Sequence, residues 1–193
     1  MKWSYGYISQ YDEKKFNKAY TELSPSRKAR VDRYKREEDK KRSLLGEMLI
    51  KKLLSDEYNI ESQLLVGEKG EPLLENSTLN VSIAHCNDLV VCAISEQEVG
   101  IDVEQIKPIF TKLIDRVCVD EEVRFVLSDK SIDCFSEKVE DTDVLRRFFG
   151  VWTKKEAWFK KIRTGITDLH SVNTLKLYSE SHYIEDYVIN IVY

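Results

Sequence analysis

The stretch TLNVSIAHCNDLVVCAISEQEVGIDVE, residues 78–104, contains three segments with β-strand character, separated by two short turns. In the first segment Leu79, Val81 and Ile83 alternate with more polar residues, which is typical of a strand with one buried face. The second segment, LVVCAIS, is apolar throughout, as expected of a strand that is covered on both faces. Because the turns CND and EQ are short, we expect the three strands to form an antiparallel meander.

The third segment, EVGIDVE, carries two carboxylates inside an otherwise apolar strand. Side chains alternate along a strand with a period of two, so Asp102 and Glu104 should project from one face. Ile101 and Val103 should then point the other way, into a core. Taken alone, such a pair of acids is more often the polar outer face of a half-exposed strand.

The segments that precede this stretch predict a strand followed by helices. WSYGYISQ, near the N-terminus, has the aromatic content of a strand, and Ser24-Pro25 provides an N-cap and a first-turn proline for a helix. Apolar residues spaced by three and four continue this helical pattern as far as Leu54, with a break or bend near residues 37–40. The glycines and proline of GEKGEP (67–72) predict a turn.

The second half of the chain repeats this general plan. Helical patterns occur near residues 109–128 and 141–162, the loop RTGITD follows, and strands are expected near 170–178 and 182–192. Helix and sheet therefore occur twice in the same broad order. This order predicts an α+β fold with two similar lobes.

A third carboxylate lies in the last helical pattern. In FFGVWTKKEAWFKK (148–161), Phe149, Trp152, Glu156 and Lys160 are spaced by three, four and four, so they line one helix face. A carboxylate between large aromatics is partly dehydrated and needs a partner, for which an ion pair with Lys160 is the simplest candidate.

Together with Asp102 and Glu104, Glu156 completes a set of oxygen ligands of the kind that Mg²⁺ prefers. Two lysines, Lys155 and Lys160, flank Glu156 in the sequence and suit phosphate oxygens. These features predict a metal-assisted reaction on a phosphate-bearing small molecule.

Charge is concentrated in one part of the chain. Between Arg27 and Arg42 there are nine Lys or Arg residues and four acids, whereas the whole chain has a net charge of -4. Such a basic element is either a solvated helix face or a binding site for an anion. No run of about 18 apolar residues and no apolar signal segment is present, and we expect the four cysteines, Cys86, Cys92, Cys118 and Cys134, to be free thiols rather than zinc ligands or disulfides.

Two segments, VGIDVEQIKP (99–108) and WTKKEAWFKK (152–161), together resemble the two signature motifs of the 4'-phosphopantetheinyl transferases. In that family G-[IV]-D-x-E precedes W-[ST]-x-K-E-[AS]-x-x-K. Residues 23–50 also resemble the N-terminal helix of the surfactin-synthetase-activating type, and residues 81–95 resemble its strand pair before the first motif. The similarity covers roughly residues 1–178.

This resemblance implies a pseudo-dimer of two similar lobes, each a helix packed on a small, largely antiparallel sheet. The N-terminal lobe would comprise residues 1–98 and the C-terminal lobe residues 99–193, with coenzyme A in the cleft between them. The implied reaction is the magnesium-dependent transfer of the phosphopantetheine arm of coenzyme A to a serine of an acyl or peptidyl carrier protein, with release of 3',5'-ADP. The protein would be a cytoplasmic monomer without a nucleic-acid or membrane partner.

The resemblance also assigns roles to residues by position. Asp102, Glu104 and Glu156 would bind magnesium, Glu156 would in addition be the general base, and Lys160 would stabilise the departing phosphate. Seven residues are expected to contact phosphates of coenzyme A. Lys155, Lys160 and His85 would contact its phosphates, and the 3'-phosphate end would be bound by Arg27, Arg30, Arg42 and Ser43.

The chain departs from the family pattern at several positions. Ala84 replaces a serine that often precedes the histidine, and Glu71 stands where a lysine is common. Arginines at positions 27 and 30 replace lysines, which keeps the charge but changes its geometry. The chain ends at Tyr193, earlier than typical members, and so would lack a final strand of the second lobe.

Two alternatives remain open at the level of the sequence. One is a non-enzymatic nucleic-acid-binding protein that uses the basic helix 25–45, although the acidic remainder and the absence of a known recognition module disfavour it. The other is a degenerate family member that only binds coenzyme A or a carrier. The sequence does not identify the carrier or its pathway.

Overall fold

The computed structural model describes residues 1–128 and 138–193, and its elements form an α+β fold, as predicted. Cys134 lies outside the described residues. The α-helices are α1 (Glu13–Thr21), α2 (Pro25–Asp32), α3 (Glu37–Leu53), α4 (Lys112–Val117), α5 (Asp120–Leu127) and α6 (Thr142–Ile162). The strands are β1 (Lys2–Tyr7), β2 (Leu64–Val66), β3 (Pro72–Leu74), β4 (Asn80–Cys86), β5 (Leu89–Ser95), β6 (Gly100–Gln105), β7 (Ile109–Phe110), β8 (Lys138–Val139), β9 (Glu180–Ile184) and β10 (Tyr187–Val192).

The first three-stranded sheet has the antiparallel order β1-β5-β4. Its central strand, β5, is buried along its whole length, which confirms the prediction made from its apolar sequence. One face of β5 presents Val90, Cys92 and Ile94 to a core that includes Leu45 of α3. The β4–β5 hairpin confirms the first two strands of the predicted meander.

The second three-stranded sheet has the antiparallel order β6-β10-β9. The prediction that β6 continues the meander next to β5 is therefore wrong. Because β1 and β4 already occupy the two edges of β5, no edge is left for a third partner. The chain leaves the first sheet after Ser95, and β6 instead pairs with β10 in the register Asp102↔Asn190. A link to the first sheet persists through Ser82 Oγ, which accepts a hydrogen bond of 3.1 Å from the Ile101 N–H.

The C-terminal region differs from the prediction in one segment. Residues 170–178 do not form a strand but contain parts of two short 3₁₀ turns, Leu169–Ser171 and Thr174–Lys176. The side chains of Asp168 and Asn173 cap these turns by accepting hydrogen bonds from the backbone, which favours a turn over an extended strand. The strand predicted over 182–192 is a hairpin, β9–β10.

Packing arranges the two sheets and the two long helices in four layers. The order is α3, the first sheet, the second sheet and α6. Between the sheets, Val91 and Ala93 of β5 contact a shared core that contains Ile101, Val103 and Ile189. The predicted alternation of β6 is confirmed for its apolar residues, and Asp102 and Glu104 therefore face the side covered by α6.

The basic segment is not one helix. Helix α2 ends at Asp32 and α3 begins at Glu37, so a break lies just before the predicted position. The basic helix 25–45 of the nucleic-acid alternative is therefore two helices, α2 and the first part of α3. No helix in the described part of the chain has both the length and the apolar character that crossing a bilayer requires.

Strand β6 lies directly against the backbone of α6 at Gly100. A Cβ atom added there would lie 1.8 Å from the carbonyl oxygen of Ala157 and 2.7 Å from the backbone nitrogen of Lys161. Only glycine permits this approach, because both neighbouring atoms belong to a helix backbone that cannot rotate away.

We predict that Gly100→Ala lowers the free energy of unfolding by about 3 kcal/mol, because the methyl group forces β6 and α6 apart. Chemical denaturation followed by circular dichroism measures the effect. Gly150→Ala in α6 is the matched control: its nearest neighbour would be Tyr183 Oη at 3.8 Å, so alanine should stabilise the helix by about 0.5–1 kcal/mol. Equal stabilities of the two variants would contradict the close contact.

Candidate active site

Strand β6 and helix α6 bring the carboxylates of Asp102, Glu104 and Glu156 to one region. Lys160 Nζ donates a hydrogen bond of 2.6 Å to Asp102 Oδ1. The expected partner of Glu156 is therefore paired with Asp102 instead. Asp102 is 6% exposed, and its second oxygen, Oδ2, has no hydrogen-bond partner among the described residues. A buried carboxylate oxygen without a donor is costly, so this atom favours a cation or a donor from a ligand.

Each of the three carboxyl groups has a raised pKa, and the first cause in each case is burial. Burial, followed by the negative charge of Asp102, raises the pKa of Glu156 to about 7. The same two causes raise the pKa of Glu104, whereas Lys160 opposes the effect of burial on the pKa of Asp102. The three acids thus repel one another, and a bound cation would relieve this repulsion.

A preformed metal site is not present in the described residues: no three His, Cys, Asp or Glu side chains there are arranged to hold a metal ion. The donor chemistry nevertheless fits magnesium, which takes only oxygen ligands and usually completes its shell with water and substrate phosphates. The unpartnered Asp102 Oδ2 is the clearest candidate ligand. The full set of Asp102, Glu104 and Glu156 stays a prediction.

A cavity of about 420 Å³ lies next to these acids. It is lined from the N-terminal half by Arg30 and the 67–72 turn, and from the other half by Glu156, Lys160 and Arg163. The cavity therefore lies between the halves, where the resemblance predicts coenzyme A. A larger groove of about 590 Å³ contains none of the predicted site residues.

His85 and Arg42 lie close to one another. His85 is exposed at the end of β4, and the atoms packed around it, followed by the charges of Arg42 and Lys160, lower its pKa. Arg42 donates hydrogen bonds to the Asn87 carbonyl at 2.8 Å and to Asp39 Oδ1 at 2.5 Å. His85 is therefore near both Arg42 and Lys160.

Arg27 and Ser43 contact each other and do not line the cavity described above. Arg27 is 4% exposed, and its Nε donates to Glu47 Oε2 at 3.0 Å. Its Nη2 donates to Ser43 Oγ at 3.2 Å and to the Ser43 carbonyl at 3.4 Å. This buried ion pair occupies the Arg27 guanidinium and so disfavours its predicted contact with the 3'-phosphate, whereas the contact of the half-buried Ser43 stays a prediction.

Lys155 is also turned away from the cleft. Its side chain is completely buried, and Nζ contacts Glu122 Oε2 at 2.7 Å and the carbonyls of Leu169 and Val172 at 2.6 and 2.7 Å. Adjacent helical residues point in different directions, so the residue next to Glu156 cannot share its face. The predicted phosphate contact of Lys155 is therefore contradicted, and its observed role is to hold α5 and the 169–172 segment on α6.

Glu122, the partner of Lys155, was not among the residues predicted from the sequence. Its carboxylate also accepts hydrogen bonds from the Thr174 N–H and Oγ, both at 2.7 Å, and from the Val119 N–H at 2.9 Å. A signal was available, because Glu122 lies four residues before the buried Val126 and so on the apolar face of α5. Two cleft residues, Lys69 and Arg163, were missed as well.

Comparison with known proteins identifies the family. A family model described as "4'-phosphopantetheinyl transferase, N-terminal" matches residues 10–97, and a second, "4'-phosphopantetheinyl transferase superfamily", matches residues 98–189. The chain belongs to the 4'-phosphopantetheinyl transferase superfamily. The family predicted from the two motifs is thereby confirmed.

Several relatives in this superfamily resemble the chain over most of its length. The 4'-phosphopantetheinyl transferase gsp of Aneurinibacillus migulanus is 32% identical over 82% of this chain and 63% of the relative. The transferase psf-1 of Bacillus pumilus is 29% identical, covering 83% and 68%. The transferase Sfp of Bacillus subtilis strain 168 is 27% identical, covering 83% and 67%. The chain thus spans about two thirds of the length of these relatives.

We predict that Lys155→Met lowers the free energy of unfolding by about 3–5 kcal/mol, because Glu122 then keeps a buried charge without its cation. Denaturant unfolding checks this value. Lys154→Met is the matched control: this lysine is half-buried, and burial lowers its pKa, so loss of its charge should be nearly neutral. Adding Glu122→Gln should recover part of the loss in a double-mutant cycle. Unchanged stability combined with weaker coenzyme A binding would restore the phosphate role.

Proposed function

We propose that this protein transfers the phosphopantetheine arm of coenzyme A to a serine hydroxyl of a carrier protein and releases 3',5'-ADP. The observation that supports this proposal most directly is the pairing of buried Asp102 with Lys160, next to Glu156, in a cleft with cations from both halves. The carboxylates of this region can share a metal cation with phosphate oxygens. Because a basic cavity lies beside them, the whole site suits a pyrophosphate substrate.

The two halves are proposed to be equivalent lobes, residues 1–98 and 99–193. Each half contributes one three-stranded antiparallel sheet, with a long helix, α3 or α6, on its outer side. The boundary between the two matching family models, at residues 97 and 98, supports this division. A cleft between two lobes can hold a long substrate such as coenzyme A across its full length.

In the proposed reaction the serine oxygen forms a bond to the β-phosphorus of coenzyme A, and the bond from that phosphorus to the 3',5'-ADP oxygen breaks. Glu156 would accept the serine proton, because its carboxylate lines the cavity. Lys160 would stabilise the negative charge of the departing phosphate. Magnesium, held by Asp102 with Glu104 and Glu156, would neutralise the pyrophosphate when bound.

The proposed reaction has a protein partner and a metal requirement. The partner would be an acyl or peptidyl carrier protein, and magnesium would be required. Action as a cytoplasmic monomer without nucleic acid stays a prediction. The broken basic segment removes the main support for the nucleic-acid alternative.

The decisive experiment measures the intact mass of several apo-carrier proteins after incubation with this protein, coenzyme A and Mg²⁺. The expected result is the gain of one phosphopantetheine on at least one carrier, and no gain when EDTA removes the metal. No gain on any carrier, together with tight binding of coenzyme A, would reject the transferase and favour the binding-only alternative.

We predict that Glu156→Gln lowers the transfer rate by about 10²–10⁴-fold, because the amide cannot accept the serine proton. The rate is measured at saturating coenzyme A over a magnesium titration, so that weaker metal binding is compensated. Glu98→Gln, an exposed position before β6, serves as the control and should transfer at the normal rate. Near-normal turnover of Glu156→Gln at saturating magnesium would eliminate Glu156 as the base.

A further inference from the structure

Three cations line the end of the cavity where the 67–72 turn meets the end of α6: Arg30, Lys69 and Arg163, here called the cleft cations. Arg30 of α2 donates to the Gly70 carbonyl. Lys69 Nζ donates to the Arg163 carbonyl at 3.1 Å, across 94 positions of sequence. The three residues thus come from separate parts of the chain and are tied together by hydrogen bonds.

The cleft cations have only neutral acceptors among the described residues. Besides the two carbonyls, Arg163 Nη2 donates to the side-chain oxygen of Asn80 at 2.7 Å. Lys160, which lines the same cavity, is by contrast paired with the carboxylate of Asp102. Three neighbouring positive charges without a counter-charge repel one another, and this arrangement favours the binding of an anion.

The backbone of Arg163 provides an independent observation. Arg163 follows the last residue of α6 and has the left-handed conformation, with φ 55° and ψ 29°. Glycine is the usual residue at such a helix end, because any other residue there is mildly strained. Arg163 therefore places a charged side chain at the cavity at the cost of a mildly strained backbone.

The carboxylate of Glu71, which stands where a lysine is common in the family, is bound within its own turn. Glu71 Oε2 accepts a hydrogen bond of 2.9 Å from the Lys69 N–H, and a Cβ at Gly67 would lie only 2.4 Å from Glu71 Cδ. Glu71 therefore stabilises the turn that presents Lys69. Since Arg27 is paired with Glu47, two of the positive charges expected from the family pattern are missing from the cleft.

We propose that Arg163 and Lys69, together with Arg30, bind the 3'-phosphate of coenzyme A in place of those missing charges. This inference rests on the proposed function for the identity of the substrate. A phosphate monoester carries a charge of about -1.5 to -2 at pH 7, which two or three lysines or arginines can match.

The 3'-phosphate fits the cleft cations better than the pyrophosphate does. The pyrophosphate would lie near Asp102 and Glu104, because these carboxylates would hold the magnesium ion that neutralises it. None of the cleft cations is paired with a carboxylate among the described residues, so they suit a phosphate that binds without a metal ion.

The test uses Arg163→Gly, which removes the charge and also relieves the left-handed strain. We predict that the KM for coenzyme A rises about tenfold or more, the usual effect of losing one hydrogen bond to a charged group, while kcat stays unchanged. The KM for dephospho-coenzyme A, which lacks the 3'-phosphate, should not change. The melting temperature should stay the same or rise, whereas a purely structural role would lower it.

Lys69→Ala should act in the same direction as Arg163→Gly, and Arg163→Lys should recover part of the affinity. Lys14→Ala, an exposed position on α1, controls for the loss of one positive charge and should leave both KM values unchanged. An equal rise of both KM values in Arg163→Gly, or no rise in either, would overturn the assignment.

A binding measurement separates this inference from the proposed function. Isothermal titration calorimetry with 3',5'-ADP and with 5'-AMP requires no transfer to a carrier. We expect the wild-type protein to prefer 3',5'-ADP and Arg163→Gly to lose that preference. If this holds while no carrier is modified, the phosphate site stands and the transferase fails. If carriers are modified but the preference is independent of Arg163, the transferase stands and this assignment fails.

Discussion

The backbone contact between β6 and α6 at Gly100 is the constraint on which the rest of the site depends. Asp102 and Glu104 follow this glycine by two and four residues, and Glu156 immediately precedes Ala157, whose carbonyl lies against it. The close approach therefore sets the separation of the carboxylates. It also buries them, and burial is the first cause of their raised pKa values. The glycine of the first motif is thus a geometric requirement of the acidic site.

Buried ion pairs hold the parts of the protein around this contact. Arg27 with Glu47 joins α2 to α3, and Lys155 with Glu122 joins α6 to α5. The Lys155–Glu122 pair has additional hydrogen bonds that satisfy its remaining polar atoms, as buried charges require, whereas Glu47 Oε1 has no hydrogen-bond partner among the described residues. Arg27 and Lys155, which the family motifs predict to bind phosphate, therefore have a structural role in this protein. The cations that line the cavity come instead from Arg30, Lys69, Lys160 and Arg163.

The predictions from sequence succeeded where one local pattern has one structural solution. The alternation of β6, the apolar character of β5 and the helical spacing around Glu156 each describe a single element, and these were confirmed. The meander failed because strand pairing depends on which edges are free, and β1, far away in sequence, occupies one of them. The strand over 170–178 failed because side-chain caps from Asp168 and Asn173 favour short turns there.

The sequence by itself determined the family, the α+β class and the three acids, because two motifs in the right order constrain residue type and spacing. Only the tertiary structure decided which lysines and arginines face the cavity. The direction of a side chain depends on its phase around a helix and on the partners that other elements supply. Lys155 and Lys160 occur in the same motif, yet one reaches Glu122 in the interior and the other reaches Asp102 at the cleft.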